Sequence, residues 1–346
     1  MKTKILSLLL CAALLLSFTG CKFSTPGTVV TVDGEAIPAG LYLLYQLQAY
    51  TDAQGRQKDT SVDVLADTID GVSGTDYIHT ATLDQCKQYV WINRAFDAAG
   101  MAFTADELSA IDSYVSTTYS GNSAWLQSNG VGQESYKLYY TASQKYQKLL
   151  AEYQNTDEAA VTDEEAMAYM DSTYAHIDVL SLPLTDASYA AVDDAAKAAV
   201  QATADTMAKA LENGDDFDEL AAETLENAFG IVGREYTEES LASYKYDTFV
   251  NKDTNSYDDE DFAANLLAGK EGMAGVTSTA TSVVVYQKIA GTTDEEDFNT
   301  NYRSSIITEM QTAAYVAKIT ADTEGYTVEE NASAVNTYSP KKIKLS

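Results

Sequence analysis

Few residues of this chain could carry out covalent or metal chemistry. The sequence contains two histidines, His79 and His176, and three cysteines, Cys11, Cys21 and Cys86. A Cys/His zinc site needs about four such ligands at close spacing, which this set does not supply. Cys86 lies in a stretch with helical periodicity, where we expect a small buried side chain rather than a nucleophile with a neighbouring base.

An acidic run at 258–261 invites a calcium interpretation. Asp253, Asn255 and Tyr257 alternate before it, as oxygen ligands do in an EF-hand loop, but the central glycine of such a loop is missing. We therefore interpret this segment as a solvated acidic loop and expect no metal and no cofactor. P-loop, Gly-x-Ser-x-Gly and His-Glu-x-x-His sequences are missing as well, so no common nucleotide-binding or hydrolase chemistry is indicated.

The N-terminus has the pattern of a secretory signal. A cationic start is followed by an apolar run at 5–16, which is too short to span a bilayer. Gly20-Cys21 then resembles a bacterial lipoprotein processing site, although Phe18 replaces the usual leucine, and an ordinary signal peptide is the alternative. The predicted segments are a lipoprotein signal over 1–21, with Cys21 kept as the lipidated N-terminus, and a tether over 22–28.

Charge and composition narrow the choice of partners. The formal net charge is −30, so the chain lacks the basic footprint that nucleic-acid binding requires. Lipid rather than charge would hold such a protein at a membrane, and more than one acyl chain is expected. Tyrosine is unusually frequent, with 24 residues against nine Phe and two Trp. Its apolar ring and polar tip suit broad, partly hydrated contact surfaces.

The elements that would position these residues change in type along the chain. The mature protein is predicted to open with a strand at 29–32, a turn at Asp33-Gly34 and a helix beginning at Pro38. A polar connection over 51–77, which we expect to be mobile, then follows. The further predicted helices are 83–99, one capped by Thr104 with Glu107, 134–153, and one capped by Thr162 with Glu165, with turn-rich gaps near Gly121 and Gly130.

From Tyr174 the pattern becomes mixed. A strand at 175–182, a helix at 187–211, a helix from 216 and a strand at 281–289 predict one α+β unit over about 173–290. A bend beside a possible strand is expected at 230–233, and a short helix at 262–267. Helical periodicity returns after 294, before a short strand candidate at 326–328.

The order of these elements resembles the SurA/PrsA family of extracytoplasmic folding factors. Three passages carry the resemblance, at 29–37, 99–108 and 161–165. A fourth, 211–221, resembles the helix–Gly–x–x–Phe–x–x–Leu–Ala passage of a parvulin, the family's prolyl isomerase unit. The resemblance implies an α+β fold, in which a helix-rich chaperone domain carries an inserted, degenerate parvulin-like domain. The implied domain bounds are 29–172 with 291–346 for the first and 173–290 for the second.

The parvulin-like passage departs from its family at the positions that matter for catalysis. His176 stands where parvulins carry the histidine of their first strand, but the second histidine is missing from Ala280–Val285. Isomerisation needs a twisted imide held in an apolar pocket, and Phe262 is the candidate wall of that pocket. Both residues also have a structural interpretation. We expect weak or absent isomerase activity; an active parvulin-type isomerase is the alternative.

The sequence thus predicts a membrane-anchored extracytoplasmic folding factor whose partners are unfolded or partly folded secreted proteins. Clients would bind a helical cradle lined with tyrosine and aliphatic side chains. A solute-binding lipoprotein is less favoured, because that class normally shows two α/β lobes. The oligomeric state is left open. The candidate client-binding residues are Tyr42, Tyr45, Tyr136, Tyr139, Tyr140, Tyr146 and Tyr302, each of which could also serve only in packing.

Overall fold

The computed structural model describes residues 27–57, 60–252, 255–259, 261–291 and 295–344. The predicted signal peptide and Cys21 lie outside the described residues. The chain divides into two units. The helical unit contains the described residues up to Thr156 and those from Ala314 onward, and the sheet unit is Asp157–Ala313. The predicted α+β class is confirmed.

The helices and strands form three groups, in the order in which they follow along the chain. The first group is β1 (Thr28–Val32), β2 (Glu35–Pro38), α1 (Ala39–Gly55), β3 (Thr68–Ile69), β4 (Val72–Ser73), α2 (Gly74–Ala98), α3 (Ala105–Ser128) and α4 (Gln133–Tyr153). The second is α5 (Asp163–Thr173), β5 (Ala175–Pro183), α6 (Asp194–Glu212), α7 (Phe217–Val232), α8 (Glu238–Tyr244), β6 (Lys245–Val250), α9 (Phe262–Ala268), β7 (Ala274–Thr279) and β8 (Ser282–Lys288). The third is α10 (Arg303–Glu324), β9 (Val328–Glu330) and α11 (Ala332–Thr337).

The helical unit begins with a hairpin rather than with a strand and a helix. Asp33 and Gly34 have φ of 48° and 86°, which is the turn geometry that reverses a chain tightly. The chain therefore returns as β2, and Pro38 both ends that strand and is the N-cap residue of α1. β1 lies between β2 and β9, and both pairings are antiparallel.

The polar segment 51–77 is more ordered than the sequence predicted. α1 continues to Gly55, and a second Asp-Gly turn, at Asp70-Gly71, closes the short β3–β4 hairpin. α2 then begins at Gly74, where a Cβ atom would lie 1.8 Å from the Val64 carbonyl oxygen. Gly121 does not mark a gap either, because α3 runs through it.

The sheet unit is built on four antiparallel strands in the order β6-β5-β8-β7. The edge strands β6 (Lys245–Val250) and β7 were not predicted. The predicted bend at 230–233 is wrong, because α7 continues to Val232 and ends at Gly233 with φ of 73°. This unit is longer at both ends than the predicted insert 173–290, whose independence as a domain stays a prediction.

Helices cover both faces of this sheet. Leu180, Leu182 and Val285 face α6 and α7 on one side. Ile177 and Val284 face α9 on the other side. The alternation follows from strand geometry, since successive side chains point to opposite faces.

Candidate functional site

A cleft of about 390 Å³ lies in the helical unit. Four helices that are distant in sequence form it: α1, α2, α4 and the C-terminal part of α10. None of its lining side chains carries a charge, although the chain as a whole has a formal net charge of −30. The lining residues are Tyr45, Gln48, Gln85, Gln88, Tyr89, Ile92, Tyr139, Ala142, Ser143, Tyr146, Val316 and Ile319.

Aromatic contacts hold one wall of this cleft. The Tyr45 ring lies 6.5 Å from Tyr89 and 6.1 Å from Tyr139, with ring planes at 60° and 76°. These tilted contacts are typical of favourable aromatic pairs. Burial raises the pKa of the Tyr45 hydroxyl well above its ordinary value, so this wall stays uncharged.

A second aromatic group lies beside the cleft on α10. Tyr315 is buried, and its ring centre is 5.7 Å from Tyr146, 4.9 Å from Tyr153 and 5.8 Å from Trp91. Burial raises the pKa of Tyr315 to about 12. The indole N–H of Trp91 donates to Asp322 at 3.1 Å, which also joins α2 to α10. Tyr146 is thereby held by a packed neighbour while it lines the cleft.

The structure separates the tyrosines that the sequence grouped together. Tyr45, Tyr139 and Tyr146 line the cleft. Tyr42 does not, because its side chain is fully buried in the core beneath β1 and β2. The other three candidates also lie outside the lining: Tyr136 packs against Tyr119, Tyr140 stacks on Tyr114 at 4.2 Å, and Tyr302 belongs to the sheet unit.

Sequence reasoning missed much of the lining. Gln48, Gln85 and Gln88 have helical spacing with the tyrosines but carry no pattern that distinguishes them from ordinary surface glutamines. Tyr89 lies three residues after Cys86 on the same face, and this spacing was the one available signal. Val316 is 43% exposed and Ile319 is buried, so α10 contributes one exposed and one buried apolar side chain to the cleft.

His176 lies in the sheet unit, near the start of β5. Its Nε2 atom is 2.8 Å from Asp247 Oδ2, and its Nδ1 atom is 3.0 Å from the Ala290 carbonyl oxygen. The ring stacks on Phe249 at 4.1 Å with an interplanar angle of 11°. Asp247 and Phe249 both come from β6, the edge strand that was not predicted.

A charged group continues from His176 along the same face of the sheet. Asp178 pairs across the ladder with Asp247, and Lys245 on the same strand forms an ion pair with Asp218 at 2.5 Å. Burial raises the pKa of Asp178, and the nearby Asp218 carboxylate raises it further, whereas Lys245 lowers it. The face around His176 thus carries charged groups beside the rings of Phe249 and Tyr302, and it is not the wholly apolar pocket that would favour a twisted proline.

His176 and Phe262 lie on opposite faces of the sheet. His176 pairs directly with Phe249, so the two side chains share one face. Phe262 packs with Ile177 and Val179 on the other face, and its ring is 4.8 Å from Tyr286. These two predicted catalytic residues therefore cannot form one proline pocket. Phe262 is a core aromatic residue, at 2% exposure.

Arg234, directly after the end of α7, has a structural role. Arg234 donates to the Thr185 carbonyl oxygen at 2.8 Å and to the Tyr244 hydroxyl at 2.6 Å. Its guanidinium also lies 5.2 Å from the ring of Tyr189, an exposed residue with φ of 63°. These contacts line a second cleft of about 410 Å³, in which the arginine holds the loop after β5.

The remaining candidates from the sequence are Cys86 and the acidic segment. Cys86 is fully buried among apolar residues, and burial raises the pKa of its thiol, which suits packing rather than nucleophilic attack. Among the described residues, no group of three or more His, Cys, Asp or Glu side chains could hold a metal ion. Asp253 and Glu260, which belong to the acidic segment, lie outside the described part of the chain.

Comparisons with known proteins give matches among solved structures. No protein-family model matches the sequence, and no curated protein matches it. The foldase protein PrsA from Streptococcus pneumoniae is 15% identical, with a TM-score of 0.32, over 70% of this chain and 82% of that one. PrsA from Bacillus subtilis is 15% identical, with a TM-score of 0.28, over 75% and 91%. The foldase protein PrsA from Lactococcus lactis is 14% identical, with a TM-score of 0.30, over 92% and 100%.

These structures bear the family name that the sequence passages indicated. The role of each site in this chain is judged from its own contacts.

Proposed function

We propose that this chain is an extracytoplasmic folding factor that holds non-native segments of secreted proteins in the cleft between α1, α2, α4 and α10. We further propose that its prolyl isomerase activity is weak or absent. The uncharged lining of the cleft, in a chain with a formal net charge of −30, is the observation that supports this function best.

The lining suits an extended, apolar polypeptide segment. Tyrosine rings offer apolar surface with little side-chain entropy to lose, and glutamine amides can both donate to and accept from a peptide backbone. Gln85 Oε1 is buried and accepts no hydrogen bond from the described residues, so a client N–H could pair with it once the amide turns towards the cleft. A volume of about 390 Å³ is that of a pocket for a few side chains, not for a folded protein.

The acidic remainder of the chain would serve this function through solubility. A high net charge disfavours self-association, and it would keep a complex with an aggregation-prone client dispersed. A solute-binding role has less support, because only the sheet unit combines a four-stranded sheet with covering helices.

Membrane attachment through Cys21 is part of the same proposal. Each helix among the described residues is too short or too polar to cross a bilayer. A lipidated Cys21 would place the cleft near the exit side of the membrane, where secreted chains emerge unfolded. Two or more acyl chains would be needed for stable attachment.

Placing a charge in the cleft tests the client-binding proposal. We predict that Gln88→Glu lowers the suppression of client aggregation several-fold, because an apolar segment would have to desolvate the new carboxylate. The control is Gln147→Glu, the same substitution at an exposed position of α4 outside the lining. Light scattering of a denatured, proline-poor client at increasing protein concentration measures the effect.

Equal suppression by both variants, with unchanged circular dichroism, would contradict a client site in this cleft. A loss in both variants would instead indicate that added negative charge anywhere on the chain repels the client.

A further inference from the structure

The C-terminal tail, Ser339–Lys344, is held by two side chains of α3 through its backbone. The Lys344 N–H donates to Asn129 Oδ1 at 2.8 Å, and Asn129 Nδ2 donates to the Lys344 carbonyl oxygen at 2.9 Å. The indole N–H of Trp125 donates to the same carbonyl oxygen at 2.8 Å. Both polar groups of one tail residue are therefore paired with side chains 215 or more positions away.

The two side chains form a pre-oriented clamp. Trp125 and Asn129 are four residues apart, so they lie on one face of α3 and its C-terminal end. The Asn129 amide also donates to the Trp125 carbonyl oxygen at 3.1 Å, which fixes the direction of its oxygen. A side-chain amide that bonds both backbone groups of a residue binds the backbone without reading that residue's side chain. The tail approaches this clamp from a 3-10 turn at Pro340–Lys342, whose last hydrogen bond runs from the Ile343 N–H to the Pro340 carbonyl oxygen at 3.1 Å.

Selectivity for the side chain of a bound peptide comes from position 343, the residue before Lys344. Ile343 is partly buried and packs against two hydrophobic clusters, one around Ile69 and Ile78 and the other around Leu47 and Leu126. The seat between these clusters accepts an aliphatic side chain. Lysines flank it on both sides in the tail, and they are exposed on a chain that is otherwise strongly acidic.

We propose that Trp125, Asn129 and the Ile343 seat form a peptide-binding site, which the chain's own tail occupies. Its second occupant is a segment of another polypeptide with an aliphatic residue flanked by lysines, which follows a turn as Ile343 does in the tail. The tail is a tethered copy of that ligand, and charge complementarity with the acidic chain favours a cationic segment. Trp125, Asn129 and Ile343 do not line the cleft between α1, α2, α4 and α10, although Tyr139 of its lining packs on the cluster around Leu47 and Leu126 as Ile343 does. The peptide test below does not measure client aggregation, so its failure is distinguishable from failure of the proposed function.

The tether makes the tail a strong competitor. An intramolecular ligand acts at an effective concentration of roughly millimolar, so a free peptide of equal affinity displaces it only near that concentration. Loss of the Ile343 anchor should release the tail and open the site to peptides at much lower concentration.

The test uses the full chain and an acetylated, amidated, fluorescent peptide of residues 338–344. We expect Ile343→Asp to bind this peptide about tenfold more tightly than the unmodified chain, by fluorescence anisotropy. Adding Asn129→Ala to that variant should abolish the gain. Adding Asn122→Ala should leave it unchanged, because Asn122 is exposed on the same helix and its amide bonds only the Thr118 carbonyl oxygen.

Equal peptide affinity in the Ile343→Asp variant and the unmodified chain, or no effect of Asn129→Ala, would overturn the proposal. If Ile343→Asp loses its helical circular dichroism, the proposal is tested by hydrogen exchange in the unmodified chain. At roughly millimolar peptide, the Lys344 amide should exchange hydrogen several-fold faster than with a peptide carrying Asp in place of the isoleucine. Identical exchange with both peptides would also overturn it.

Discussion

At His176, both ring nitrogens face hydrogen-bond acceptors. The Ala290 carbonyl can only accept, so Nδ1 is the donor in that contact, and Nε2 lies within hydrogen-bond distance of Asp247 Oδ2. The ring therefore joins β5, β6 and the segment after β8. A side chain engaged in this way stabilises the sheet edge, and the one face of the ring that stacks on Phe249 is already covered.

We predict that the unmodified chain barely accelerates X-Pro isomerisation and that His176→Ala leaves this rate unchanged. Uncatalysed exchange takes tens to hundreds of seconds, so even modest catalysis is measurable with a proline peptide. His176→Ala should lower stability, because Asp247 loses its partner. A high rate in the unmodified chain that His176→Ala abolishes while the fold and aggregation suppression persist would favour the active-isomerase alternative.

The same face yields a prediction for stability. Burial raises the pKa of Asp178 above its ordinary value of 3.8, so the ionised carboxylate disfavours the folded state at neutral pH. Protonation removes that cost. The folded state therefore gains relative stability as pH falls through the raised pKa towards 3.8, and loses it as pH rises.

Asp178→Asn should consequently raise the urea midpoint at pH 7, and its advantage should shrink as pH falls through the raised pKa towards 3.8. Asp215→Asn, at an exposed position after α6, is the matched control and should have little effect. A destabilised Asp178→Asn chain at pH 7 would mean that attraction to Lys245 and His176 outweighs the cost of burial.

The neighbouring strands β5 and β8 bring the two ends of the predicted insert together. They are neighbouring antiparallel strands, and the Ile289 N–H donates to the His176 carbonyl oxygen at 3.0 Å. The chain therefore enters and leaves the four-stranded sheet at adjacent points. This arrangement is typical of an inserted segment, because a short linker can replace it without moving its flanks.

We predict that replacing residues 174–289 by a short Gly-Ser linker leaves a helical remainder that unfolds cooperatively. α5 and α10 would keep most of their shared cluster around Met170, Phe298 and Ile306, since its members from inside the deleted segment are Tyr174 and Phe249. Circular dichroism through a urea titration measures the outcome. A gradual, non-cooperative loss of helix would show that the sheet is needed for the rest of the chain to fold.

The negative net charge of the protein opposes its attachment to a membrane. A protein with a formal net charge of −30 is repelled by anionic lipid surfaces, so attachment would have to come from acyl chains. We predict that Cys21→Ala moves the protein from the membrane to the soluble fraction or blocks its processing. Cys86→Ala is the control, because this buried cysteine has no part in anchoring.

Fractionation and N-terminal mass measure this prediction, and a wash at about 1 M salt should leave the unmodified protein attached because it screens charge only. Unchanged fractionation and unchanged mass in Cys21→Ala would remove the anchor from the proposal.

Local features of this protein were determined by the sequence itself. The capping boxes of Thr104 with Glu107 and Thr162 with Glu165 form as predicted, and the Asp33-Gly34 turn closes a hairpin. Each is a set of hydrogen bonds or backbone angles within four residues, so the neighbouring residue types were sufficient to encode it.

Contacts between residues that are far apart in sequence depend on the tertiary structure. β6 and β7 are strands because they pair with β5 and β8, and their own sequences lack a clear alternation. Tyr42 and Tyr45 have the same local pattern, yet one is fully buried in the core and the other reaches the cleft. The cleft, the His176–Asp247 contact and the clamp on the tail join residues that are far apart in sequence. Their geometry depends on how whole helices and strands pack, which no short stretch of residues specifies.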